Sequence, residues 1–451
     1  MTQAPPTLTK SRELATFGAS VAYEDLPAEV VHCAKRALVD WTAAVLAGTG
    51  EPAAGKVRTV VASLAAEGPV RVAGTTQTSN AAFAALAMAY ASHLLDFDDV
   101  FNPVETTIHL SSCLWPTVLA LGQWRRLSGK AAIAAYVAGF ETGARAARAA
   151  GPGHYQSGWH VTGTIGHLAA VAAASNALGL SPAAATHALG TAATQAAGLR
   201  EIYGSDTKAI HTGKAAMDGV LSALLAEAGF TSTDTAIEGE RGLLAAVTPT
   251  SAPELLVEGL HATWHLLENG HKLYPTASLT HAAIEAMIAA ERPAPAEVES
   301  IEVRMHPFAA AVTALAQPKT GAEARFSTPH CVAVALLHGS LHPSDFNGEV
   351  VNDPAVVALR ARVAIVSDES IDKRGCRITI GKRGGGSVVA EIERNRGTPA
   401  APLRDEELAD KLAYHARAAL GEKTASALIE RCWSLDTVAD LNELVRLMVP
   451  A

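Results

Sequence analysis

Residues 298–305 read VESIEVRM, and Ile301, Val303 and Met305 alternate there with polar neighbours, as a half-buried strand requires. Residues 377–380 and 388–392 alternate in the same way around Gly384-Gly385-Gly386, the pattern of a hairpin. Helical spacing lies between these strands, at 329–338. Upstream of about residue 265 the chain reads instead as a succession of helices. Ser79-Asn80 can cap a helix in which Phe83, Leu86, Ala87, Tyr90 and Leu94 recur at helical spacing. A second helix covers about 162–177, with Gly179 to stop it. Ser181-Pro182 opens the next, and another spans about 213–228 before Gly229. Beyond Gly397, Asp405–Leu420 and Glu422–Trp433 are helical again. The expected fold is mainly α with an inserted α+β domain. Residues 1–268, completed by 397–451, form the large helical domain, and 269–396 form the smaller α+β one.

A chain of 451 residues is long for one core, which agrees with two domains. Hydrophobic residues at 49% and charged residues at 18% describe a packed globular protein, and only 5% aromatics leaves the core to Ala, Leu and Val. A net charge of −9 argues against nucleic acid or an acidic membrane as partner, so an anionic ligand would need local cations. Cys33, Cys113, Cys331, Cys376 and Cys432 form no CxxC pair, the usage expected of reduced thiols in the cytoplasm. The start, MTQAPPTLTK, has no apolar secretory core, and the run 81–91 is too short to span a membrane.

Four segments carry residues suited to chemistry. His93-Leu-Leu-Asp96-Phe-Asp98-Asp99 opens a polar loop that runs to His109. His93 and Asp96, three apart, would share one helix face. The acids that follow oppose the dipole of a helix C-terminus, so they need cations or a special role; the plain alternative is a solvated acidic loop. In His154-Tyr155-Gln-Ser-Gly158-Trp159-His160-Val-Thr162-Gly163, His160 precedes a helix start whose free N–H groups suit an anion. His167 falls on nearly the same face. A structural hydrogen-bonding histidine is the plain alternative, although the flanking glycines let a ligand approach closely. Tyr203 to Lys214 brings Lys208, His211 and Lys214 to another helix start. It is no phosphate loop, because Gly204 and Gly213 lie too far apart and Ala215 replaces the magnesium-binding hydroxyl. Asn269-Gly-His271-Lys272-Leu-Tyr274-Pro275, followed by His281, falls where the helical pattern gives way, so its lysine would enter an interdomain cleft. A Tyr-Pro joint is also an ordinary structural feature. No zinc signature occurs, and the glycines at 381–386 lack the strand-to-helix setting of a dinucleotide loop.

Read in order, HLLDFDD (93–99), GWHVTG (158–163), TKAIHTGKAA (207–216), KLYP (272–275), PKTGAEARFS (318–327) and GTPAAPLRDEELADKL (397–412) resemble the MmgE/PrpD family. That family includes 2-methylcitrate dehydratase, cis-aconitate decarboxylase and iminodisuccinate epimerase. The resemblance runs through nearly the whole chain. It implies a helical domain with an α+β lid, an active site between them, and a cytoplasmic homodimer. By matched motif, Asp96, His109, His160 and Lys208 are the expected catalytic residues, and His93, Lys272 and Tyr274 the substrate ligands. The implied activity is that of a cofactor-independent lyase, a dehydratase or decarboxylase of a small di- or tricarboxylate such as 2-methylcitrate or cis-aconitate. Epimerisation of a dicarboxylate such as iminodisuccinate is the alternative. No metal, other cofactor, nucleic acid or membrane is expected.

Such reactions place charge on a carbon beside a carboxylate, which fixed cations and N–H dipoles can stabilise. Histidines, titrating near neutrality, would move the protons, with Asp96 orienting one of them. Two departures bear on the substrate. Decarboxylating members carry Thr after DFDD, where this chain has Val100. The family's His-Pro is His109-Leu110 here, after a loop about three residues longer, which points to a substrate other than cis-aconitate. DFDD also matches the acidic motif of protonation-initiated terpene cyclases, but 5% aromatics with no second acidic motif leaves no cavity for carbocations. A helical binding protein is the remaining rival; it would disperse these cations and histidines over its surface.

Overall fold

A computed structural model describes residues 8–64, 67–102 and 106–450. Two hydrophobic cores divide the chain. The larger gathers residues from Leu14 to Leu266 and, after an interruption, from Leu403 to Met448; the smaller runs from Tyr274 to Ile380. At the centre of the first lies the helix Val161–Ala177, of which only Asn176 is not buried. The helices Ser111–Arg125, Gly129–Gln156, Pro182–Ala193 and Ile210–Glu227 pack around it, and Ala81–His93 packs on Ser111–Arg125 and Ile210–Glu227. Small residues allow this close approach. A Cβ on Gly219 would come within 2.6 Å of Ala170, and one on Gly139 within 2.8 Å of the Ala169 carbonyl oxygen. Bulk enters at few points, chiefly Trp41 and the stacked pair Trp115 and Tyr136, whose rings lie 4.4 Å apart.

The smaller core is built on a four-stranded mixed sheet. Val363–Ser367 pairs in parallel with Val298–Met305, which pairs antiparallel with Cys376–Lys382, and that strand forms the expected hairpin with Ser387–Ile392. In the central strand Ile301, Val303 and Met305 are buried and their neighbours are not, as the alternation requires. The helices His281–Ala289 and Thr328–His338 pack in this core. Asn80 caps the 81–93 helix through the Phe83 amide, and the helices Asp405–Leu420 and Glu422–Trp433 have the expected bounds. Two features differ from the sequence reading. The parallel strand Val363–Ser367 is absent from the sequence reading; Val363, Ile365 and Val366 are half-buried and Ala364 and Ser367 exposed, so it has no buried face to leave a clear alternation. The 210–227 helix begins three residues before the expected 213, after the short turn Asp206–Ala209. No described helix is long and apolar enough to cross a membrane.

The chain passes between the cores twice, and the two passes touch: the His271 amide donates to Gly397. Val100 and Gly270 exchange both backbone hydrogen bonds at 2.9 Å, tying the first pass to the acidic segment. The returning helix secures the junction through Lys411. Its buried ammonium donates to Asp40 and to the Phe97 carbonyl at 2.7 Å, and to the Lys272 carbonyl at 2.9 Å. It also lies 3.7 Å from the centre of the Phe97 ring. Lys411→Met would leave the Asp40 carboxylate buried without its cation, so unfolding in urea should show a loss of about 3–5 kcal/mol. A loss below about 1 kcal/mol would contradict this account; the double change Asp40→Asn with Lys411→Met should recover part of it.

Candidate active site

The 81–93 helix ends at His93, and the chain then turns at Asp96, whose φ of 52° is left-handed. His93 and Asp96 therefore do not share a helix face as their spacing implied. The turn sends the three acids of DFDD to three destinations. Asp96 Oδ1 accepts from Lys208 Nζ and Lys272 Nζ, both at 2.8 Å, and Lys272 also donates to the Asp96 carbonyl at 3.0 Å. Burial alone would raise the Asp96 pKa, but the two ammonium groups outweigh it and hold the carboxyl well below its usual range. Asp98 accepts from His93 Nδ1 at 2.8 Å and is likewise held low, against burial, by His93 and His109. Asp99 accepts from the Ser111 amide and hydroxyl and from Asn269 Nδ2, yet burial pushes it up to about 7. None of the three is a solvated surface acid.

Three histidine rings stack against this strip. His93 lies 4.7 Å from His109 and 5.8 Å from His160, centre to centre. His109 Nδ1 stands 2.7 Å from the Asp99 carbonyl oxygen, which can only accept, so Nδ1 carries the proton and Nε2 of the neutral ring holds a lone pair. That Nε2 lies 3.9 Å from Asp96 Oδ1. Burial pushes His109 down to about 3, with Lys272, His93 and Lys208 adding to the effect and Asp98 opposing it. His160 caps the 161–177 helix; its amide donates to the Gly198 carbonyl and its Nδ1 stands 2.8 Å from His211 Nδ1. Burial, Lys208 and the other histidines depress its pKa too.

His109, His160, Asp96, Lys208 and Lys272 face one cleft with about 770 Å³ of empty space. Tyr155 and Tyr203 complete its wall on the helical side, and the smaller core supplies Ser278, Leu279, Phe308, Phe326, Lys373 and Arg374. Lys208 lies 5.8 Å from the Tyr203 ring and 5.7 Å from that of Phe326. Four cationic side chains thus line the cleft against the single carboxylate of Asp96. Two expected ligands do not line it. His93 sits behind His109 and His160, and Tyr274 packs edge-on against His281 in the smaller core, 5.2 Å between centres. His167 and Lys214 also turn away, both bonding Asp218. Val100 is absent from the cleft as well, while Asn102 and Thr107, hydrogen-bonded to each other, line it. Residues 103–105 of the longer loop lie outside the described residues. The cations and aromatics of the smaller core escaped sequence reading, although Phe326 lies within PKTGAEARFS.

His93, Asp96, Asp98 and His109 place one ligand atom each within 4.8 Å of one another, a spacing a metal ion could bridge. Their chemistry fits a metal poorly. Asp96 Oδ1 already receives two ammonium groups, and their charge would repel a cation brought to the same oxygen.

The buried histidines make a prediction about acid stability. His109 at about 3 and His211 at about 4 lie below the 6.5 of the unfolded chain, and His271 and His281 at about 3 share the sign. Each contributes stability that is complete above pH 6.5 and is lost as pH falls toward its folded value. Asp99, raised from 3.8 to about 7, acts in the opposite sense over the same window, but it is one group against several. The urea midpoint should therefore fall between pH 7 and pH 5. A flat profile would mean that these rings are not held neutral.

Comparison with known proteins identifies the family. The MmgE/PrpD N-terminal domain matches residues 12–256 and the MmgE/PrpD C-terminal domain residues 274–435. A cis-aconitate decarboxylase of Aspergillus terreus is 26% identical, covering 97% of this chain and 95% of its own length. The cis-aconitate decarboxylases of Mus musculus and Homo sapiens are 27% and 24% identical, each covering 81% of this chain and 78% and 79% of their own. With both domain matches spanning the two cores and the cleft between them, the chain belongs to the MmgE/PrpD family.

Proposed function

We propose that this chain is a lyase that removes carbon dioxide from a small di- or tricarboxylate by histidine-mediated proton transfer, without a cofactor. Its family and its relatives named as decarboxylases support a lyase acting on a carboxylate. The observation that carries the finer reading is the excess of cations in a cleft whose facing side chains include two neutral histidines. Lys208 spends one donor on Asp96 and Lys272 two, so each ammonium keeps at least one for a substrate carboxylate. Arg374 and Lys373 offer positive charge on the opposite wall. Loss of carbon dioxide leaves an electron pair that spreads onto a neighbouring carboxylate, and the fixed ammonium groups stabilise that charge without reorganising.

His160 does the proton transfer in this reading: it donates to the carbon that carries the new electron pair. His109, with its lone pair on Nε2, accepts a hydrogen bond in the cleft and helps to hold the substrate. Asp96 positions the two lysines and balances part of their charge. Leu279, Phe308, Val312 and Phe326 form an apolar wall, and a carboxylate pressed against such a wall is favoured to leave as neutral carbon dioxide. That wall favours decarboxylation over dehydration. The cytoplasmic homodimer remains part of this proposal as an implication of the resemblance.

Incubation with cis-aconitate, 2-methylcitrate and iminodisuccinate in separate reactions, with and without EDTA, tests the proposal. Release of carbon dioxide unaffected by EDTA is expected from one of the first two. An alkene formed from 2-methylcitrate without carbon dioxide would make the chain a dehydratase, deuterium wash-in at unchanged iminodisuccinate would make it an epimerase, and no turnover of any would reject the reading. His160→Gln should cost about 100-fold or more in turnover with the fold intact, the usual scale for an acid–base group. Near-normal turnover by that variant would remove His160 from the mechanism.

A further inference from the structure

His211 does not line the cleft, and the mechanism above gives it no part. It lies on the first turn of the Ile210–Glu227 helix, with Nδ1 2.8 Å from Nδ1 of His160. Two ring nitrogens at that distance share one proton, because only one can donate. The sharing couples the outer nitrogens of the two rings. When His211 donates, neutral His160 must carry its own proton on Nε2, and it can donate to a substrate. When His160 donates instead, its Nε2 holds a lone pair and can only accept. His109 has no such freedom, since a carbonyl fixes its tautomer.

We propose that His211 keeps His160 neutral as His160 gives up its Nε2 proton, by passing the shared proton to His160 Nδ1 and taking another from solvent, and so acts as a positioning residue that switches His160 between donor and acceptor. The inference rests on the reading of His160 as the proton donor. His211 is the more exposed of the two, at 9% against 2%, and its Nε2 has no hydrogen-bond partner among the described residues. The titratable groups around it are His93 at the end of the 81–93 helix, His160 and His167 on the 161–177 helix, and Lys208 just before its own helix. None of these is an anion, and Asp218, farther along the helix, is taken by His167 and Lys214. The pair is therefore neutral at rest.

The proton count closes without charging either ring. Loss of carbon dioxide breaks a carbon–carbon bond and leaves its electrons on the substrate, which takes the Nε2 proton of His160. The shared proton crosses from His211 Nδ1 to His160 Nδ1, and a hydronium or buffer acid protonates His211 Nε2. Each ring gives one proton and gains one, and one solvent proton is consumed per carbon dioxide released. Once product leaves, water in the cleft reprotonates His160 Nε2, the shared proton returns, and His211 Nε2 releases its own.

His211→Asn tests this, because the amide can still hydrogen-bond His160 Nδ1 but cannot conduct a proton. Turnover should fall about 100-fold while KM changes little, and added imidazole should restore part of it in proportion to its protonated form. Turnover within about threefold of the parent, in a variant with an unchanged urea midpoint, would overturn the proposal. Nitrogen-15 NMR of the resting parent protein, labelled at histidine, gives a readout independent of substrate. One proton shared between the two Nδ1 atoms is expected, and two separate environments with no shared proton would overturn the pairing. If the parent turns over none of the three acids, the functional reading fails, and the NMR result alone then decides the pair.

Discussion

One oxygen of Asp96 accepts from two lysines that stand 112 and 176 residues away in sequence, and the geometry of the cleft depends on that contact. A carboxylate buried alone would cost several kcal/mol, and so would either ammonium; together they form a node that no member can leave cheaply. The node also has one more positive than negative charge, so it keeps an unspent pull on anions. Its assembly requires the left-handed turn at Asp96, which ends the helix line that His93 would otherwise continue. Lys411 holds the structure from behind by binding the backbone carbonyls of Phe97 and Lys272, neighbours of the two segments that meet at the node.

The electrostatics of the cleft run against those of the whole protein. A chain with a net charge of −9 repels anions at long range, yet its central cleft gathers Lys208, Lys272, Lys373 and Arg374 around one acid. Walls such as Phe308 and Phe326 keep the dielectric low there, which strengthens each cation's hold on a bound carboxylate. The same surroundings keep the histidines neutral, because burial and neighbouring cations both disfavour a further positive charge. A bound polycarboxylate would reverse that second effect and make the rings easier to protonate. Substrate binding and proton supply are linked by charge alone.

Much of the fold was legible from periodicity. The alternation in 298–305 and the spacing in Asp405–Leu420 each reflect burial on one side of a regular element, which the order of residues records directly. The strand Val363–Ser367 was missed because it is only partly buried and its residues carry no such contrast. Within the site, the motifs identified Asp96, His109, His160, Lys208 and Lys272, and all five face the cleft. Tyr274 and His93 stood in equally suggestive motifs, yet one packs in the smaller core and the other behind the histidines. Which way a side chain turns is set by its neighbours in space, and a motif does not record those.

Local spacing and composition set where helices and strands run, that the chain divides into two cores, and which segments bear the chemistry. Who meets whom is settled by packing between segments far apart in the chain. The acids of DFDD are alike in sequence, but one meets lysines, one a histidine and one a serine and an asparagine. His160 and His167 stand on one helix, and each finds its partner 51 residues on, because that helix and the 210–227 helix run side by side in the same direction. One rung therefore joins two histidines at the cleft, and the other joins a histidine to Asp218 outside it. Protonation state depends on burial and on the charges within a few ångströms, and folding alone brings those together.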